Sequence, residues 1–282
     1  MGNILCIANN KGGVGKTSIS IALADAFLWL QENEPSRLPE DMQTLPILIV
    51  DMDPQANTTE ALGIDPTTNS KNIKDVLENP SIMSTPEGLN TIVPIAKKDN
   101  AFALPSSLSL EGTGLTLMTT MNGNTRLRFA LDRIAQNYSL IIIDTPPSLG
   151  SLTQNGIIAA HYAIIPIILS KHALYGVTNM LSFLATAKES HNARLKTLGI
   201  LINAYDKRYR LQNNLLNVTK RMYGDFVFET VLGTSSRLLE NLAGRRKVFW
   251  NMTSEQRSNL INLTLEVFQR CSPAFEPVLN GE

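Results

Sequence analysis

The sequence predicts an α/β fold, a single doubly wound and mostly parallel sheet with helices on both faces. First, the chain has 282 residues, of which 43% are hydrophobic and 18% charged, so it can bury a large core. Second, short apolar runs alternate with helical patterns along the chain. Third, these runs are continuously apolar, as is typical of strands that are covered on both faces. We therefore expect residues 1–282 to form one domain.

The predicted elements follow one another in a regular order from the N-terminus. Five apolar runs predict strands at residues 4–8, 47–50, 140–143, 163–169 and 198–202. Apolar residues at helical spacing predict helices from residue 17 to about 30 and at about 125–136, 173–190, 208–222 and 254–270. Residues 31–46 are polar and contain three prolines, which predicts an inserted surface loop. Residues 63–122 give no clear pattern, because Pro, Gly and Thr interrupt the apolar pieces.

Neither a membrane span nor a metal-binding cysteine motif is expected. No run of about 18 or more apolar residues occurs, and the N-terminus lacks the basic segment and cleavage site of a signal peptide. Cys6 and Cys271 lie far apart and match no metal spacing, so we expect two buried thiols in a reducing compartment. These features predict a cytoplasmic protein without a stable membrane anchor.

The stretch NNKGGVGKT, at residues 9–17, lies between the first predicted strand and the first predicted helix. Its glycines let backbone N–H groups turn inward, and the helix N-terminus adds its positive dipole end, so the stretch predicts a phosphate site. In such a loop Lys16 reaches the β- and γ-phosphates, and the Thr17 hydroxyl binds Mg²⁺. A tight glycine turn with a solvated lysine is the alternative. The predicted nucleotide contacts are Lys11, Gly12, Gly13, Val14, Gly15, Lys16, Thr17 and Ser18.

The sequence KGGVGKT, with its early lysine at position 11, resembles the deviant Walker A motif of the ParA/MinD family of ATPases, which have the P-loop NTPase fold. In that family the early lysine crosses a dimer interface and contacts the phosphates bound by the other subunit. The resemblance implies a homodimer with two ATP molecules, each with Mg²⁺, in which Lys11 serves the partner's nucleotide. Electrostatics agree, because a cation from each subunit offsets the repulsion between two facing triphosphates. An exposed lysine beside the loop is the alternative.

Two further motifs place carboxylates at the ends of predicted strands. DMDPQAN at residues 51–57 is similar to the family motif D-x-D-P-Q-x-N, and DTPPSLG at residues 144–150 is similar to its Walker B segment. The carboxyl ends of parallel strands line the crevice where such sheets bind ligands. The resemblance implies that Asp144 holds Mg²⁺ through water, that Asp53 orients the attacking water, and that Asp51 supports Mg²⁺ or the loop. Each carboxylate could instead cap the next element. The implied catalytic residues are Lys11, Lys16 and Asp53, and the implied metal site consists of Thr17, Asp51 and Asp144.

Recognition of the base is assigned to the end of the last predicted strand. Asn203 stands where relatives place an Asn or Thr that contacts adenine, although a strand-end Asn that forms a turn fits equally well. Ser170 replaces an acidic residue of the family pattern, and Gly233 replaces a proline near the base. Both departures leave the implied catalytic residues intact.

The two parts of the chain differ in charge. Residues 1–186 carry 11 basic and 16 acidic residues, whereas residues 187–282 carry 14 and 9. A basic C-terminal third fits either a nucleic-acid surface or a solvated face. In the ParA branch, ATP-bound dimers bind DNA without sequence preference through this third, and contacts with phosphate make such binding fall steeply with salt. The resemblance points first to Arg208 and Arg237, and then to Lys207, Arg210, Arg245, Arg246 and Lys247.

The resemblance as a whole implies an ATP-dependent DNA partition protein of the Soj-like branch. We expect a nucleoid-associated ATPase that a ParB-like, centromere-binding partner stimulates, with a plasmid or chromosome as its cargo. The same ATPase could position a protein cargo, such as a carboxysome or a chemoreceptor cluster. A MinD-like membrane-positioning ATPase and a dethiobiotin synthetase-like ligase are further alternatives. The last helix has few basic residues and the tail is acidic, which disfavours membrane binding.

Overall fold

One seven-stranded sheet organises the chain. The computed structural model describes residues 3–68, 71–96, 98–170, 173–234, 249 and 252–275. The sheet order is β3-β4-β2-β5-β1-β6-β7, and only β3 runs antiparallel to its neighbour. The strands are β1 (Asn3–Ile7), β2 (Ile47–Asp51), β3 (Val93–Pro94), β4 (Ala101–Leu104), β5 (Leu140–Asp144), β6 (Tyr162–Ile168) and β7 (Lys196–Asn203). The predicted mostly parallel sheet is confirmed.

Helices connect the strands. Within the described ranges the α-helices are α1 (Lys16–Asn33), α2 (Asn57–Ala61), α3 (Ile73–Glu78), α4 (Pro86–Leu89), α5 (Leu110–Thr119), α6 (Arg126–Leu131), α7 (Ser151–Ala159), α8 (Ala173–Ser190), α9 (Arg210–Tyr223) and α10 (Ser254–Cys271). Short 3₁₀ turns lie at Pro35–Arg37, Glu40–Met42, Pro80–Ser84, Gly123–Thr125, Ala135–Asn137 and Gly224–Phe226. All the predicted helices are present, with ends that differ by a few residues.

The core lies on both faces of the sheet. Side chains alternate along β1, so that Leu5 packs with α1 and α10 while Cys6 packs with α6, α7 and α8 on the opposite face. The rings of Phe27 in α1 and Phe268 in α10 lie 5.5 Å apart between centroids. Burial on both faces explains why the strands are continuously apolar, and it confirms the doubly wound arrangement.

The predicted surface loop at residues 31–46 is only partly a loop. Helix α1 continues through Asn33, and two 3₁₀ turns follow it. The side chains of Leu38 and Met42 are buried, and Gln31 donates from Nε2 to the Met42 and Leu45 carbonyls at 2.8 and 3.0 Å. The correction has a simple cause: two apolar residues in a polar, proline-containing stretch are enough to anchor it to the core.

The region without a clear sequence pattern contains one edge of the sheet. Strand β4 pairs in parallel with β2 from Ala101 to Leu104, and β3 pairs with β4 from outside. Residues 105–109 then lead across the carboxyl edge of the sheet into α5. This segment consequently lies beside the loops that follow β2 and β5.

The described part of the chain contains no helix that is both long and apolar enough to cross a membrane. Both cysteines are free thiols, with Cys6 buried and Cys271 half-buried. Burial raises the pKa of the Cys271 thiol to about 12.

Candidate active site

A glycine-rich loop forms an open cradle between β1 and α1. Gly13 and Gly15 adopt φ angles of 72° and 92°, which a residue with a side chain rarely adopts. A Cβ atom at Gly13 would meet nothing within 4 Å, so the space above the loop is free. Helix α1 begins at Lys16 with no acidic residue in its first turn. Loop N–H groups and a positive helix end therefore surround a space that suits an anion.

Lys16 is buried in this cradle. Its Nζ atom donates to the Lys11 carbonyl at 3.2 Å. Burial lowers the pKa of Lys16, and the nearby Asp144 and Asp53 carboxylates act against that decrease. The ammonium group is thus largely removed from water before any ligand binds. Its hydrogen bond to the Lys11 carbonyl can be exchanged for one to a ligand oxygen. A phosphate oxygen could replace that carbonyl and would add its charge to that of the nearby Asp144 and Asp53 carboxylates.

Asp144, at the end of β5, is the centre of the candidate metal site. Its Oδ2 atom accepts hydrogen bonds from the Thr17 and Thr58 hydroxyls at 2.7 and 2.6 Å, and Ser20 donates to Oδ1 at 3.4 Å. Burial raises the pKa of Asp144, while the two threonine hydroxyls and Lys16 oppose the increase. The predicted pair of Thr17 and Asp144 is therefore brought together.

Mg²⁺ fits this donor set with few protein ligands. The described residues contain no group of three or more His, Cys, Asp or Glu side chains that could hold a metal ion. Mg²⁺ commonly keeps several waters and binds through one or two protein oxygens plus substrate phosphates. One threonine hydroxyl beside one carboxylate, next to an anion cradle, is consistent with that mode.

Asp51 holds the loop that follows β2. Its Oδ2 atom accepts from the backbone N–H and the hydroxyl of Thr59 at 2.8 and 2.7 Å, and its Oδ1 atom accepts from the Asp53 N–H at 3.0 Å. Burial and the adjacent Asp144 raise the pKa of Asp51 to about 7, although these donors lower it. Asp51 and Asp144 are direct neighbours in the β2–β5 register. These contacts are those of a loop-supporting residue, and a contact with Mg²⁺ stays a prediction.

Asp53 lies on the loop that follows β2, close enough to Lys16 for its charge to raise the pKa of that lysine. Its Oδ1 atom accepts from the Gln55 N–H at 3.0 Å, and within the described ranges no hydrogen bond reaches Oδ2. Its main-chain carbonyl accepts from the Ser106 hydroxyl at 2.7 Å and from the Ala56 N–H at 2.9 Å. The backbone is therefore fixed from two sides while one carboxylate oxygen is available.

Sequence reasoning missed the hydroxyl groups that hold these carboxylates. Thr58 bonds to Asp144, Thr59 bonds to Asp51, and the Ser106 N–H donates to Thr59 Oγ1 at 2.9 Å. Two threonines directly after DMDPQAN were a usable signal, because hydroxyls at a helix start can turn toward strand-end carboxylates. Ser106 lay in the region without a pattern, and no local signal indicated it.

Lys11 is exposed at the edge of the cradle. Its backbone N–H donates to Asn9 Oδ1 at 3.0 Å, which fixes the turn. None of the described acidic residues forms an ion pair with its side chain. A cavity of about 310 Å³ lies beside it, between the loop, the end of β6 and the start of α8. Within one subunit, the Lys11 side chain is thus an exposed cation without an ion pair to any described residue.

Asn203 lies between the phosphate loop and a second cavity. Its Nδ2 atom donates to the Val14 carbonyl at 2.9 Å. The cavity measures about 370 Å³ and is lined by Ser18, Ile19, Ala22, Asn203, Leu232, Gly233, Thr234, Met252, Thr253, Glu255, Gln256, Asn259 and Leu260. A mixed polar and apolar cavity next to a phosphate loop suits a nucleobase. Contact between Asn203 and adenine stays a prediction.

The basic residues predicted to bind DNA are only partly described. Arg208 has an 82% exposed side chain and pairs with Asp206, from Nε to Oδ1 at 2.9 Å. That pairing lowers the pKa of Asp206 to about 2. Lys207 and Arg210 are exposed at the start of α9. The remaining predicted contacts lie outside the described residues: Arg237, Arg245, Arg246 and Lys247.

Comparisons of sequence place the chain among known proteins. A family model described as an AAA domain matches residues 2–197. The chain is 30% identical over 268 residues to the sporulation initiation inhibitor protein Soj of Bacillus subtilis, covering 95% of this chain and 98% of that protein. It is also 30% identical to the chromosome partitioning protein ParA of Myxococcus xanthus, covering 97% and 90%.

Solved structures give the same fold. Cobyrinic acid a,c-diamide synthase from Mycobacterium smegmatis, with a bound ATP analogue and magnesium, superposes with a TM-score of 0.73 at 27% identity, covering 95% of both chains. A plasmid partition protein from Borrelia burgdorferi superposes with a TM-score of 0.66 at 25% identity, covering 94% of this chain and 99% of that one. The first of these structures holds its nucleotide analogue and magnesium together.

Proposed function

Because the chain belongs to the ParA/MinD family of ATPases, in the Soj-like partition branch, we propose that it segregates DNA as an ATP-dependent homodimer. It is a ParA-type ATPase that uses ATP and Mg²⁺. The observation that carries the proposal is the pair of lysines at one loop: Lys16 is buried in the cradle, whereas Lys11 is exposed and unpaired among the described residues. One lysine serves the subunit's own nucleotide, and the other serves that of a second subunit.

Within one subunit, different residues bind the phosphates, hold the metal ion and orient the attacking water. Loop N–H groups and Lys16 bind the phosphates. The Thr17 hydroxyl, and Asp144 through water, would hold Mg²⁺, which would supply positive charge beside the phosphate oxygens. Asp53, with one carboxylate oxygen available, orients the attacking water. A carboxylate of this kind is a weak base, so we expect slow basal hydrolysis that rises when a partner completes the site.

Dimerisation then depends on ATP. An exposed ammonium group on each subunit offsets the repulsion between two triphosphates that face each other where water is excluded. ADP lacks the terminal phosphate, so the same lysine contributes less to the closed pair. Self-association thereby reports whether the nucleotide has been hydrolysed.

DNA binding follows from the dimer. Each subunit presents Lys207 and Arg210 at the start of α9, and two subunits present the set twice. Arg208 is neutralised by Asp206 in the isolated subunit, so it joins the DNA contacts only when a phosphate replaces that carboxylate. We expect binding without sequence preference, nucleoid association, and release when a ParB-like, centromere-binding partner stimulates hydrolysis.

A small-molecule ligase is the second candidate, since the chain also resembles cobyrinic acid a,c-diamide synthase in structure. Such an enzyme would hydrolyse ATP only with a carboxylic acid substrate and would need neither DNA nor a partner protein. The higher identity to partition proteins favours the first candidate.

The test compares wild type with Lys11→Ala, and Lys188→Ala on the exposed end of α8 serves as the matched control. Light scattering with a non-hydrolysable ATP analogue should show a dimer for wild type and control and a monomer for Lys11→Ala, while all three bind the analogue. A gel shift with ATP, with ADP and without nucleotide, across a salt series, should show DNA binding only by ATP-bound dimers. A Lys11→Ala protein that dimerises like wild type would contradict the proposal.

A further inference from the structure

Asn203 ends β7 beside the phosphate loop, and its side chain bonds to that loop. Its Nδ2 atom donates to the Val14 carbonyl at 2.9 Å, a contact between residues 189 positions apart. Because the acceptor is a carbonyl, the amide nitrogen of Asn203 and not its amide oxygen has to face it. The side chain therefore joins the end of the sheet to the loop that surrounds the anion site.

The Asn203 amide lies so close to Gly15 that a side chain at position 15 would collide with it. A Cβ atom at Gly15 would lie 2.2 Å from Asn203 Nδ2, well below the 3.0 Å that real Cβ contacts keep. The φ angle of 92° is one reason for a glycine at this position, and the neighbouring amide is a second. The glycine at position 15 and the asparagine at position 203 are thus sterically matched.

The backbone around Asn203 is held from two sides. Asn203 pairs with Ile168 of β6 in the parallel register. The next residue, Ala204, has a φ angle of 52°, which residues other than glycine rarely adopt, and its carbonyl accepts from the Thr234 hydroxyl at 3.2 Å. The amide of Asn203 consequently starts from a fixed point, as a group that positions a loop requires.

The Val14 carbonyl lies just outside helix α1. Gly15 is the N-cap residue, and the first helical hydrogen bond runs from the Ile19 N–H to the Gly15 carbonyl at 2.9 Å. The Val14 carbonyl and the Gly15 N–H belong to one planar trans peptide unit, in which they point in opposite directions. A hydrogen bond that holds the carbonyl toward Asn203 thereby turns the Gly15 N–H to the other side of the loop.

We propose that Asn203 is a positioning residue for the phosphate loop, which orients the Val14–Gly15 peptide so that the Gly15 N–H faces the phosphates. This role differs from a contact with adenine, because it acts at the triphosphate end of the nucleotide. It concerns the ATP site of one subunit and does not rest on the proposed homodimer. Without the bond, the peptide unit loses its fixed orientation, and the loop binds phosphate less tightly whatever base the ligand carries.

Tripolyphosphate tests this role because it has the three phosphates of ATP and no base. Competition with a fluorescent ATP analogue in the presence of Mg²⁺ gives its dissociation constant, corrected for each variant's own affinity for the analogue. Asn203→Ala, and Asn203→Leu with its similar volume, should each weaken tripolyphosphate binding by about fivefold, which corresponds to one neutral hydrogen bond. ATP binding should weaken by the same factor. A protein concentration at which light scattering shows a monomer keeps self-association out of both constants.

Asn259→Ala is the matched control. Asn259 lines the same cavity as Asn203 but does so from α10, and the substitution removes the same amide group. It should change the affinity for tripolyphosphate by less than about twofold. Circular dichroism shows whether each variant is folded.

The outcomes distinguish a role at the phosphates from a role at the base. Equal losses for ATP and tripolyphosphate in both Asn203 variants, with the control like wild type, support the positioning role. A loss confined to ATP overturns it and assigns the Asn203 side chain to the base. Wild-type tripolyphosphate affinity in Asn203→Leu overturns it too, because volume without a hydrogen bond would then suffice, and so does an equal loss in Asn259→Ala. If tripolyphosphate displaces no analogue from wild type, the loop is not the anion site, and the positioning role fails with it.

Discussion

Ser106 connects the loop that carries Asp53 to the rest of the fold, and removing its hydroxyl tests that connection. The side chain is buried, its Oγ atom donates to the Asp53 carbonyl at 2.7 Å, and its N–H donates to Thr59 Oγ1 at 2.9 Å. Ser106→Ala deletes the first bond and keeps the second. The substitution therefore loosens Asp53 without removing any group that faces the nucleotide.

The expected loss of stability and turnover in Ser106→Ala depends on the hydrogen bond that the Asp53 carbonyl still accepts. An unsatisfied buried carbonyl typically costs about 1–3 kcal/mol, but the Asp53 carbonyl also accepts from the Ala56 N–H at 2.9 Å. Only the net value of one neutral hydrogen bond is lost, so the free energy of unfolding should fall by about 1 kcal/mol. If the whole of that energy positions Asp53 in the transition state, turnover should fall by about fivefold.

Urea denaturation measures the first quantity, and steady-state phosphate release at saturating ATP measures the second. Ser81→Ala is the control, because the Ser81 hydroxyl is exposed and bonds only to the Asn79 side chain among the described residues. It should change the free energy of unfolding by less than about 0.5 kcal/mol and leave turnover unaltered. Affinity for the ATP analogue should stay the same in both variants, since the cradle is untouched.

Two results would refute the reasoning. A Ser106→Ala protein that loses the expected stability but keeps full turnover would show that the hydrogen bond does not position Asp53. An equal loss of analogue affinity and turnover would show that Ser106 acts through the phosphate loop instead.

Three further predictions use other parts of the site. Burial and Asp144 raise the pKa of Asp51 from 3.8 to about 7, so the folded chain keeps a proton that the unfolded chain has lost, and the free energy of unfolding should fall as the pH rises between those values. Urea denaturation across that range should show a flatter slope for Asp51→Asn, and an unchanged slope would assign the dependence elsewhere. Asp53→Ala should still dimerise with ATP while hydrolysis falls by ~100-fold or more; phosphate release at the wild-type rate would remove Asp53 from this role. Asp206→Asn frees Arg208 and should raise DNA affinity and steepen the salt slope by about one, as measured by anisotropy, whereas weaker binding would argue against a DNA contact there.

The sequence was sufficient for the centre of the sheet and for the residues at its carboxyl edge. Strands buried on both faces are continuously apolar, so β1, β2 and β5 could be recognised directly. Because parallel strands end at one edge, their motifs predicted that Thr17 and Asp144 would meet. The hydrogen bond between them joins residues 127 positions apart, and it could be expected because both motifs lie at the same edge of the sheet.

The remaining features depend on contacts that no local pattern shows. Strand β4 has four residues and is identified by its pairing with β2. Thr58 and Ser106 bond to groups 86 and 53 positions away, so their roles depend on the completed fold.

The Thr17 hydroxyl donates its only proton to Asp144 at 2.7 Å. The lone pairs of the Thr17 oxygen therefore point away from that carboxylate. The oxygen is already oriented to bind a cation on the side facing away from the Asp144 oxygen that accepts its proton. The rotation of the Thr17 side chain is therefore already restricted in the folded protein, by its hydrogen bond to Asp144. Ordering of this side chain should therefore add little entropic penalty when a metal ion binds.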